Sequence, residues 1–282
     1  MATVFGKLFI VATPIGNLED ITFRALRVLQ EVDLIVAEDT RHTRKLLTHY
    51  QIAAPLVSYH AYNQARRGPE LIGRLQAGES LALVSDAGTP GFSDPGADLV
   101  DLAWNAGIRV EAVPGPAAGA AALSISGFTG DVTFVGFLPR GEAKRRDFLE
   151  QLAQENRVLI FYESPKRLAR TLAELARQMS NRQVLLVREL TKRFEECRRG
   201  PVADVADEMA DKEIKGECTL VLSRPWVVTP QKVDLAERLL AAARDTGLSG
   251  RRLADRVAED LKAPRRQVYQ TYLTLKARNR LP

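Results

Sequence analysis

Short apolar segments alternate with amphipathic segments through the first 115 residues. Each apolar segment has the length and composition of a buried strand. Strands are predicted at Lys7–Ala12, Asp33–Ala37, Pro55–Tyr59, Ser80–Val84 and Arg109–Val113. Apolar positions with helical spacing predict helices at Thr22–Glu31, Thr43–Tyr50, Asn63–Ala77 and Ala97–Ala106. This alternation predicts an N-terminal α/β domain, residues 1–115, with a mostly parallel sheet and helices on both faces.

The break at Pro114-Gly115-Pro116 predicts the start of a second α/β domain, residues 116–226. The direct run from Val184–Leu190 into Phe194–Arg198 indicates an antiparallel hairpin, so this sheet is expected to be mixed. The other strands are predicted at Val132–Phe137, Arg157–Tyr162 and Thr219–Leu222. Helices are predicted at Ala117–Ser126, Glu142–Glu155, Pro165–Gln178 and Val202–Ala210.

The strand pattern stops at a linker that runs from Arg224-Pro225 to Thr229-Pro230. Beyond it, apolar residues recur at helical spacing and predict three helices, in a module of residues 233–282. The helices are predicted at Leu235–Ala243, Arg251–Leu261 and Arg265–Lys276. Three short helices with a basic exterior resemble a helix-turn-helix module, and a helical dimerisation or packing arm is the alternative.

The net charge of +5 is concentrated at the C-terminal end. Residues 234–282 contain 11 lysines and arginines against 6 acidic residues, and the rest of the chain holds 29 of each. A basic module on a neutral body favours a polyanionic partner, although surface arginines can also serve solubility alone.

Cysteine content and hydropathy predict a cytoplasmic protein. The two cysteines, Cys197 and Cys218, are too few for a disulfide scaffold or a zinc site. No apolar segment approaches the roughly 20 residues of a membrane helix. We therefore expect neither a metal centre nor a membrane association.

Three loops rich in glycine and proline follow predicted strands. They are Thr13–Asn17, Ser85–Gly96 and Pro114–Ala118. Loops at the carboxyl ends of parallel strands commonly bind small molecules, and three of them together predict a pocket walled by backbone. The glycine patterns of dinucleotide and triphosphate sites, G-x-G-x-x-G and G-x-x-x-x-G-K-[ST], are absent.

Six sequence blocks resemble one family in the same order. They are ATPIGNLEDIT (residues 12–22), AEDTRHTRKLL (37–47), LVSDAGTPGFSDPG (83–96), VPGPAA (113–118), FYESPKR (161–167) and GECTLVL (216–222). These blocks are similar to the ribosomal RNA small subunit methyltransferase I family. That family comprises bacterial 16S rRNA cytidine 2′-O-methyltransferases of the tetrapyrrole-methylase superfamily. The resemblance covers about residues 5–225 and extends to the helical module.

The resemblance implies two α/β domains of the tetrapyrrole-methylase type, a homodimer, and S-adenosylmethionine held between the domains. Matched by motif, the implied cofactor-binding residues are Pro14, Ser85, Asp86, Ala87, Gly88, Phe92, Ala117, Ala118, Phe161, Tyr162 and Cys218. Asp86 either accepts hydrogen bonds from the cofactor or caps its own turn. Asp94 is expected to cap a helix that begins at Pro95.

A ribose hydroxyl is a poor nucleophile near neutral pH, so a general base is expected. Asp39 and Glu38 leave the second predicted strand at the cofactor edge, and Glu163 and Lys166 follow Phe161-Tyr162. Each of these four is a catalytic candidate. The alternative is structural, with Asp39–Arg41 and Glu163–Lys166 as ion pairs that hold their loops.

Basic residues outside these motifs are candidates for RNA binding. Arg41 and Arg44 suit a bidentate phosphate contact. The segment that includes Lys144, Arg145 and Arg146 is expected to form a mobile loop that touches the rRNA backbone, or a merely solvated loop. In the helical module the candidates are Arg251, Arg252, Arg265 and Arg266.

Two other functions remain open from the sequence. The same fold and cofactor would serve a tetrapyrrole methyltransferase of the precorrin or sirohaem type, and a non-catalytic RNA-binding protein is a third possibility. The basic module favours RNA, and the pocket loops favour an enzyme. The expected substrate is 16S rRNA in the assembled small subunit.

Overall fold

The first sheet of this computed structural model is fully parallel. The model describes residues 5–226, 235–261 and 263–278. The strands are β1 Lys7–Val11, β2 Leu34–Ala37, β3 Leu56–Ser58, β4 Leu81–Val84 and β5 Arg109–Val113. Their spatial order is β3-β2-β4-β1-β5, and all pairs are parallel. The three strands followed by glycine- and proline-rich loops, β4, β1 and β5, are therefore immediate neighbours.

Helices cover both faces of this sheet, as predicted. They are α1 Phe23–Glu31, α2 Thr40–His49, α3 Gln64–Gln76 and α4 Ala97–Asn105. Two separate apolar clusters, one on each face, include Leu29 and Ile35 on one side and Leu71 and Leu99 on the other. Helix α2 begins three residues earlier than predicted because Asp39 caps it.

The second sheet is mixed, also as predicted. Its strands are β6 Val132–Phe137, β7 Val158–Glu163, β8 Gln183–Arg188, β9 Glu196–Pro201 and β10 Cys218–Leu222. The order is β6-β7-β10-β8-β9, with β6 and β7 parallel and the other pairs antiparallel. The predicted hairpin is confirmed as β8–β9.

Helix α5 (Ala118–Ser126) covers one face of the second sheet, and α6 (Glu142–Ala153), α7 (Pro165–Gln178) and α8 (Val202–Met209) cover the other. The small residues of α5 permit close contact, since a Cβ on Gly119 would lie 3.2 Å from Ile160. The larger core, between the sheet and α6–α8, includes the fully buried Phe161 and Leu149.

The chain divides into two compact units, Met1–Trp226 and Val227–Pro282. The proposed domain boundary at 115/116 lies inside the first unit, between its two sheets. In the second unit, α9 Leu235–Thr246, α10 Gly250–Asp260 and α11 Arg265–Ala277 share one apolar core. The three predicted helices are thus confirmed. Residues 227–230 of the predicted linker and residues 233, 234, 262 and 279–282 of the predicted module lie outside the described residues.

Candidate active site

Hydrogen bonds join the three glycine- and proline-rich loops into one structure. Thr13 N–H donates to the Gly88 carbonyl at 2.8 Å, and Gly88 N–H donates to the Thr13 carbonyl at 3.0 Å. The Thr13 hydroxyl donates to the Ser85 carbonyl at 3.1 Å, and the Thr89 hydroxyl to the Pro116 carbonyl at 3.1 Å. The loops after β1, β4 and β5 therefore form a single rigid edge.

A cavity of about 320 Å³, here called the first cavity, lies between this edge and the second sheet. On the loop side its walls are small residues and backbone. On the sheet side Tyr162 enters it, and its hydroxyl accepts a hydrogen bond from Gly119 N–H at 3.0 Å. The other lining residues include Ile15, Ala87, Gly88, Thr89, Phe92, Asp94, Ala117, Ala118, Phe137, Glu163, Glu217, Cys218 and Thr219.

Aromatic rings form one wall of the first cavity. Phe92 stacks on Phe134 with centroids 3.9 Å apart, and Tyr162 meets both Phe134 and Phe137 edge to face. Phe92 and Phe137 remain 40% and 54% exposed. This wall is apolar and reachable from solvent.

A second cavity of about 290 Å³ adjoins the first on the side of α2. Ile15, Ala87 and Glu217 line both cavities. The polar side chains that line the second cavity alone include His42, Lys45, Ser85, Asp86 and Lys192.

Ten of the eleven implied cofactor-binding residues line one of these cavities. Ala87, Gly88, Phe92, Ala117, Ala118, Tyr162 and Cys218 line the first, and Pro14, Ser85 and Asp86 line the second. Phe161 is the exception, and the placement expected for it is wrong. Successive residues of a strand point to opposite faces, so Phe161 enters the core while Tyr162 enters the cavity.

The Asp86 carboxylate binds the backbone of a neighbouring loop. It accepts a hydrogen bond from Asp39 N–H at 3.1 Å and so joins the end of β2 to the end of β4. The expected cap of its own turn is therefore not what the Asp86 carboxylate forms, and its role in cofactor binding stays a prediction.

Asp94 was expected to be a helix cap, and that expectation is wrong. Helix α4 begins at Ala97 and its cap is Gly96, whose φ of 123° suits glycine. Asp94 lies before this turn and lines the first cavity. Burial is the main cause that raises the pKa of the Asp94 carboxyl to about 6.

Asp39 caps α2 and forms the ion pair with Arg41 that was the structural alternative for it. Its carboxylate accepts from Arg41 N–H at 2.8 Å and forms an ion pair with the Arg41 guanidinium at 2.8 Å. These hydrogen bonds hold its pKa far below the usual range, so Asp39 is a very weak base. Glu38 has a raised pKa, mainly through burial, but it lines neither cavity.

Glu163 and Lys166 are also poorly placed for catalysis. The Glu163 side chain is fully buried and is bound by Arg167 at 2.6 Å, Thr171 at 2.7 Å and Ser164 N–H at 2.7 Å. Its ion-pair partner is thus Arg167 and not Lys166. Lys166 is exposed on the first turn of α7 and lines neither cavity.

The expected RNA-binding role of Arg145 is wrong. The segment from Glu142 onward is helix α6 and not a loop, and Arg145 faces the protein interior, bonded to Glu174 at 2.7 Å and 2.8 Å. The other candidates are exposed: Arg41, Arg44, Lys144, Arg146, Arg251, Arg252, Arg265 and Arg266. Arg41 pairs with Asp39, and Arg265 lies 3.9 Å from Asp255.

Sequence reasoning missed a bridge between the two sheets. Lys192 pairs with Glu189 at 2.9 Å and with Glu217 at 3.1 Å, and the Thr191 hydroxyl accepts from Asn17 N–H at 3.1 Å. Glu189 and Thr191 adopt left-handed conformations, with φ of 52° and 65°. Glu217 belongs to the block GECTLVL, so the sequence could have identified it as a candidate site residue.

Neither a metal centre nor a membrane span is found in the part of the chain that the structure describes. Within residues 5–226, 235–261 and 263–278, no cluster of histidine, cysteine, aspartate and glutamate could hold a metal ion. No described helix is long and apolar enough to cross a bilayer.

Comparison with known proteins gives two levels of similarity. The family described as Tetrapyrrole (Corrin/Porphyrin) Methylases matches residues 7–206. A Thermotoga maritima protein named ribosomal RNA small subunit methyltransferase I is 50% identical over 219 residues, 77% of this chain and 98% of that protein. A protein of the same name from Synechocystis sp. is 45% identical over 280 residues, 96% of this chain and 99% of that protein.

Solved structures with this fold are more distant in sequence. A cobalt precorrin-4 methyltransferase is 19% identical with a TM-score of 0.60, covering 77% of this chain and 94% of its own. A Thermus thermophilus uroporphyrin-III C-methyltransferase complexed with S-adenosylhomocysteine is 20% identical with a TM-score of 0.56, covering 77% and 97%. At these identities the likeness shows the fold alone.

Proposed function

Because this chain belongs to the tetrapyrrole methylase family, within its ribosomal RNA small subunit methyltransferase I group, we propose that it is an S-adenosylmethionine-dependent rRNA methyltransferase. The proposed acceptor is the ribose 2′-hydroxyl of a cytidine in the decoding region of 16S rRNA. The observation that carries the proposal is the first cavity, which is lined by residues of the six blocks that resemble this group.

The first cavity fits S-adenosylmethionine in size and lining. Its volume of about 320 Å³ lies at the small end of the range for ligand sites. Gly88 lines the cavity with a φ of +82° and has no side chain, so its backbone can approach a ligand closely. Ala87, Gly88, Ala117 and Ala118 would hold the cofactor from the loop edge, and Tyr162 and Cys218 from the second sheet.

The bound cofactor supplies an electrophilic methyl group on a sulfonium. The protein contributes position, because methyl transfer requires the acceptor oxygen in line with the carbon–sulfur bond. The hydrogen-bonded loop edge gives one rigid wall, and the aromatic wall gives an apolar one. The start of α5 lines the cavity through Ala117 and Ala118, and the Gly119 N–H that follows is held by the Tyr162 hydroxyl.

The exposed basic residues are proposed to hold the rRNA backbone. Arg44, Lys144 and Arg146 lie on the first unit, and Arg251, Arg252, Arg265 and Arg266 on the second. Such contacts are driven by charge and carry little sequence information. We propose the assembled small subunit as substrate, since only there does a decoding-region cytidine have its final environment. A homodimer in the cytoplasm completes the proposal.

A tetrapyrrole acceptor is the alternative, and sequence identity favours rRNA. The tetrapyrrole-acting neighbours are 19–21% identical, whereas the rRNA group reaches 50%. The basic exterior of the second unit also suits a polyanion better than a small substrate.

Labelled S-adenosylmethionine distinguishes these functions. The protein is incubated with small subunits from a strain that lacks its gene, with naked 16S rRNA and with a porphyrinoid. We expect label in the RNA of the subunits and a slower reaction with naked rRNA. Label in the porphyrinoid alone would select the tetrapyrrole function, and label in none would favour a binding protein. Light scattering that shows a monomer would reject the dimer.

A further inference from the structure

An aromatic ring and a cation are exposed together on the turn that joins β8 to β9, residues 189–195, here called the β8–β9 turn. Phe194 is 67% exposed, and the Arg193 guanidinium lies 5.6 Å from the centroid of its ring. Arg193 is exposed as well, and no acidic side chain of the described residues forms an ion pair with it. A single exposed ring needs no explanation by itself, but the backbone that carries this one does.

The backbone of the β8–β9 turn has an unfavourable conformation. Glu189 and Thr191 have left-handed φ of 52° and 65°, a region that a β-branched residue such as Thr191 very rarely adopts. Hydrogen bonds within the turn fix this shape. Lys192 N–H donates to the Glu189 carbonyl at 2.9 Å, and Thr191 N–H donates to the Glu195 carboxylate at 2.6 Å. Strained backbone that the surrounding structure holds in place is typical of functional sites.

The β8–β9 turn is also attached to the loop after β1. Asn17 N–H donates to the Thr191 hydroxyl at 3.1 Å, and a Cβ on Gly16 would lie 2.5 Å from the Lys192 side chain. Lys192 lines the second cavity. Phe194 follows two residues later, so the Cα atoms of the two residues are at most about 7 Å apart. The exposed ring therefore lies beside the second cavity.

The charges beside the second cavity suit a polyanion. Lys45 of α2 lines this cavity and is exposed, like Arg44 next to it. Within the part of the chain that the structure describes, neither Arg44 nor Lys45 forms an ion pair. The Glu195 carboxylate of the turn is held by a backbone N–H, and Lys192 is paired with acidic residues. The cations that remain for a partner are Arg44, Lys45 and Arg193.

A single ring among charged residues fits a nucleobase better than a protein surface. From Thr191 to Glu196, Phe194 is the one apolar residue. A stable protein interface buries about 800 Å² on each partner around an apolar centre, which one ring does not provide. An unpaired RNA base needs only one aromatic face on which to stack, and a neighbouring arginine suits the phosphate of the same strand.

We propose that Phe194 and Arg193 form a stacking site for an unpaired nucleotide of the rRNA, next to the acceptor. This inference rests on the proposed function. With the cofactor in the first cavity, an RNA strand that reaches it across the second cavity passes the β8–β9 turn. A base of that strand stacks on the face of Phe194 that Arg193 leaves open, and Arg193 contacts a phosphate. The stack positions the strand and takes no part in the methyl transfer.

The test compares Phe194→Leu with Trp104→Leu, which removes another exposed ring. Trp104 is 62% exposed near the end of α4, at the opposite edge of the first sheet. Binding to small subunits from a strain without the gene is measured with saturating S-adenosylhomocysteine. Leucine is apolar but has no ring, so Phe194→Leu should weaken binding about tenfold, whereas Phe194→Trp should stay within about threefold of wild type. Trp104→Leu should leave the affinity unchanged.

The phosphate contact has a separate readout in the dependence of binding on salt. Arg193→Gln should lower the logarithmic salt slope by about 0.7, the value for one phosphate contact on a single strand. Arg193→Lys keeps the charge and should keep the slope. Phe194→Leu should also keep it, because the ring carries no charge. An unchanged slope in Arg193→Gln would remove Arg193 from the proposed site.

Calorimetry with S-adenosylhomocysteine and light scattering exclude other roles of the ring. Cofactor affinity and the mass in solution should be the same in wild type and in all variants. A Phe194→Leu affinity for small subunits within about twofold of wild type would overturn the proposal, as would a loss that Trp104→Leu shares. It would also be overturned by a change of mass in Phe194→Leu, which would assign the ring to a contact between copies, or by weaker cofactor binding, which would assign it to the first cavity.

Methyl transfer by wild-type protein keeps the two proposals apart. If wild type transfers no methyl group to rRNA, the proposed function fails, and the stacking site fails with it. If wild type methylates rRNA and Phe194→Leu binds small subunits equally well, only the assignment of Phe194 fails.

Discussion

Two buried charged residues, Glu163 and Arg145, were functional candidates in the sequence and form structural ion pairs in the folded chain. Glu163 is the clearer case. Its carboxylate accepts from Arg167, Thr171 and the Ser164 backbone at the start of α7. Three bonds to a fully buried carboxylate make it a strong link between β7 and α7.

Replacing Glu163 by Gln should therefore cost stability. We expect a loss of about 1.5–3 kcal/mol in the free energy of unfolding, because bonds to a charged acceptor are lost in a buried site. Urea unfolding measures it. Glu150→Gln, at an exposed position of α6, is the control and should stay within about 0.5 kcal/mol. Equal stability of both variants would show that the buried bonds contribute nothing.

Two glycines of the same loop test the first cavity. Gly88 and Gly91 have φ of 82° and 77°, so alanine strains both by about 1–2 kcal/mol. Gly88 lines the cavity, whereas a Cβ on Gly91 would contact nothing within 4 Å. Gly88→Ala should weaken S-adenosylhomocysteine binding by about tenfold, or ~1.4 kcal/mol. Gly91→Ala should leave the affinity for S-adenosylhomocysteine, measured by calorimetry, unchanged. Equal affinities for the two variants would show that the cofactor does not bind in the first cavity.

Periodicity within a single element explains why some residues were misassigned. In β7, Phe161 and Tyr162 were both expected to meet the cofactor, although the two-residue period of a strand permits one of them. In α6, Arg145 shares the spacing of Leu149 and Leu152 and so lies on the buried face. The two-residue period of β7 and the helical spacing of α6 can both be seen in the sequence. The turn that separates Asp94 from α4 could not be predicted, because it depends on the left-handed φ of Ser93.

Adjacent arginines of α6 test this interpretation. Arg145 is paired with Glu174 in the interior, and Arg146 is exposed. Arg145→Ala should lower the free energy of unfolding by about 2–3 kcal/mol, less than a fully broken buried pair because Arg170 still neutralises Glu174. Arg146→Ala should change it by less than about 0.5 kcal/mol and should instead weaken binding to small subunits. If Arg145→Ala weakened binding to small subunits and Arg146→Ala lowered the free energy of unfolding, Arg145 and not Arg146 would be the RNA-binding residue.

At the scale of the whole molecule, the sequence predicts the classes of both sheets and the three final helices. The order of the strands could not be predicted, because β4 lies between β2 and β1 and no local sequence pattern indicates that position. The order nevertheless creates the site, since it brings three loops to one edge. The Thermotoga maritima relative, matched over 98% of its length by 219 residues, is about as long as the first unit alone. The residues that line both cavities belong to the first unit, and we therefore expect the chemistry to belong to that unit.

The second unit should then supply affinity instead of chemistry. Charge reversal of Arg251, Arg252, Arg265 and Arg266 to Glu should weaken binding to small subunits. It should also flatten the dependence on salt, by about 0.7–0.9 in the logarithmic slope for each lost phosphate contact. Affinity for S-adenosylhomocysteine should not change. The matched Arg→Lys variant keeps the charge and should keep the slope; an unchanged slope in the Glu variant would assign these helices to packing.

Methylation of a ribose oxygen of 16S rRNA by this chain can be detected by nucleoside analysis. Small subunits from a strain without the gene are incubated with the protein and labelled S-adenosylmethionine, and the rRNA is digested and examined by mass spectrometry. We expect label in 2′-O-methylcytidine from one decoding-region fragment. Label on a nucleobase, or no label in rRNA, would contradict it.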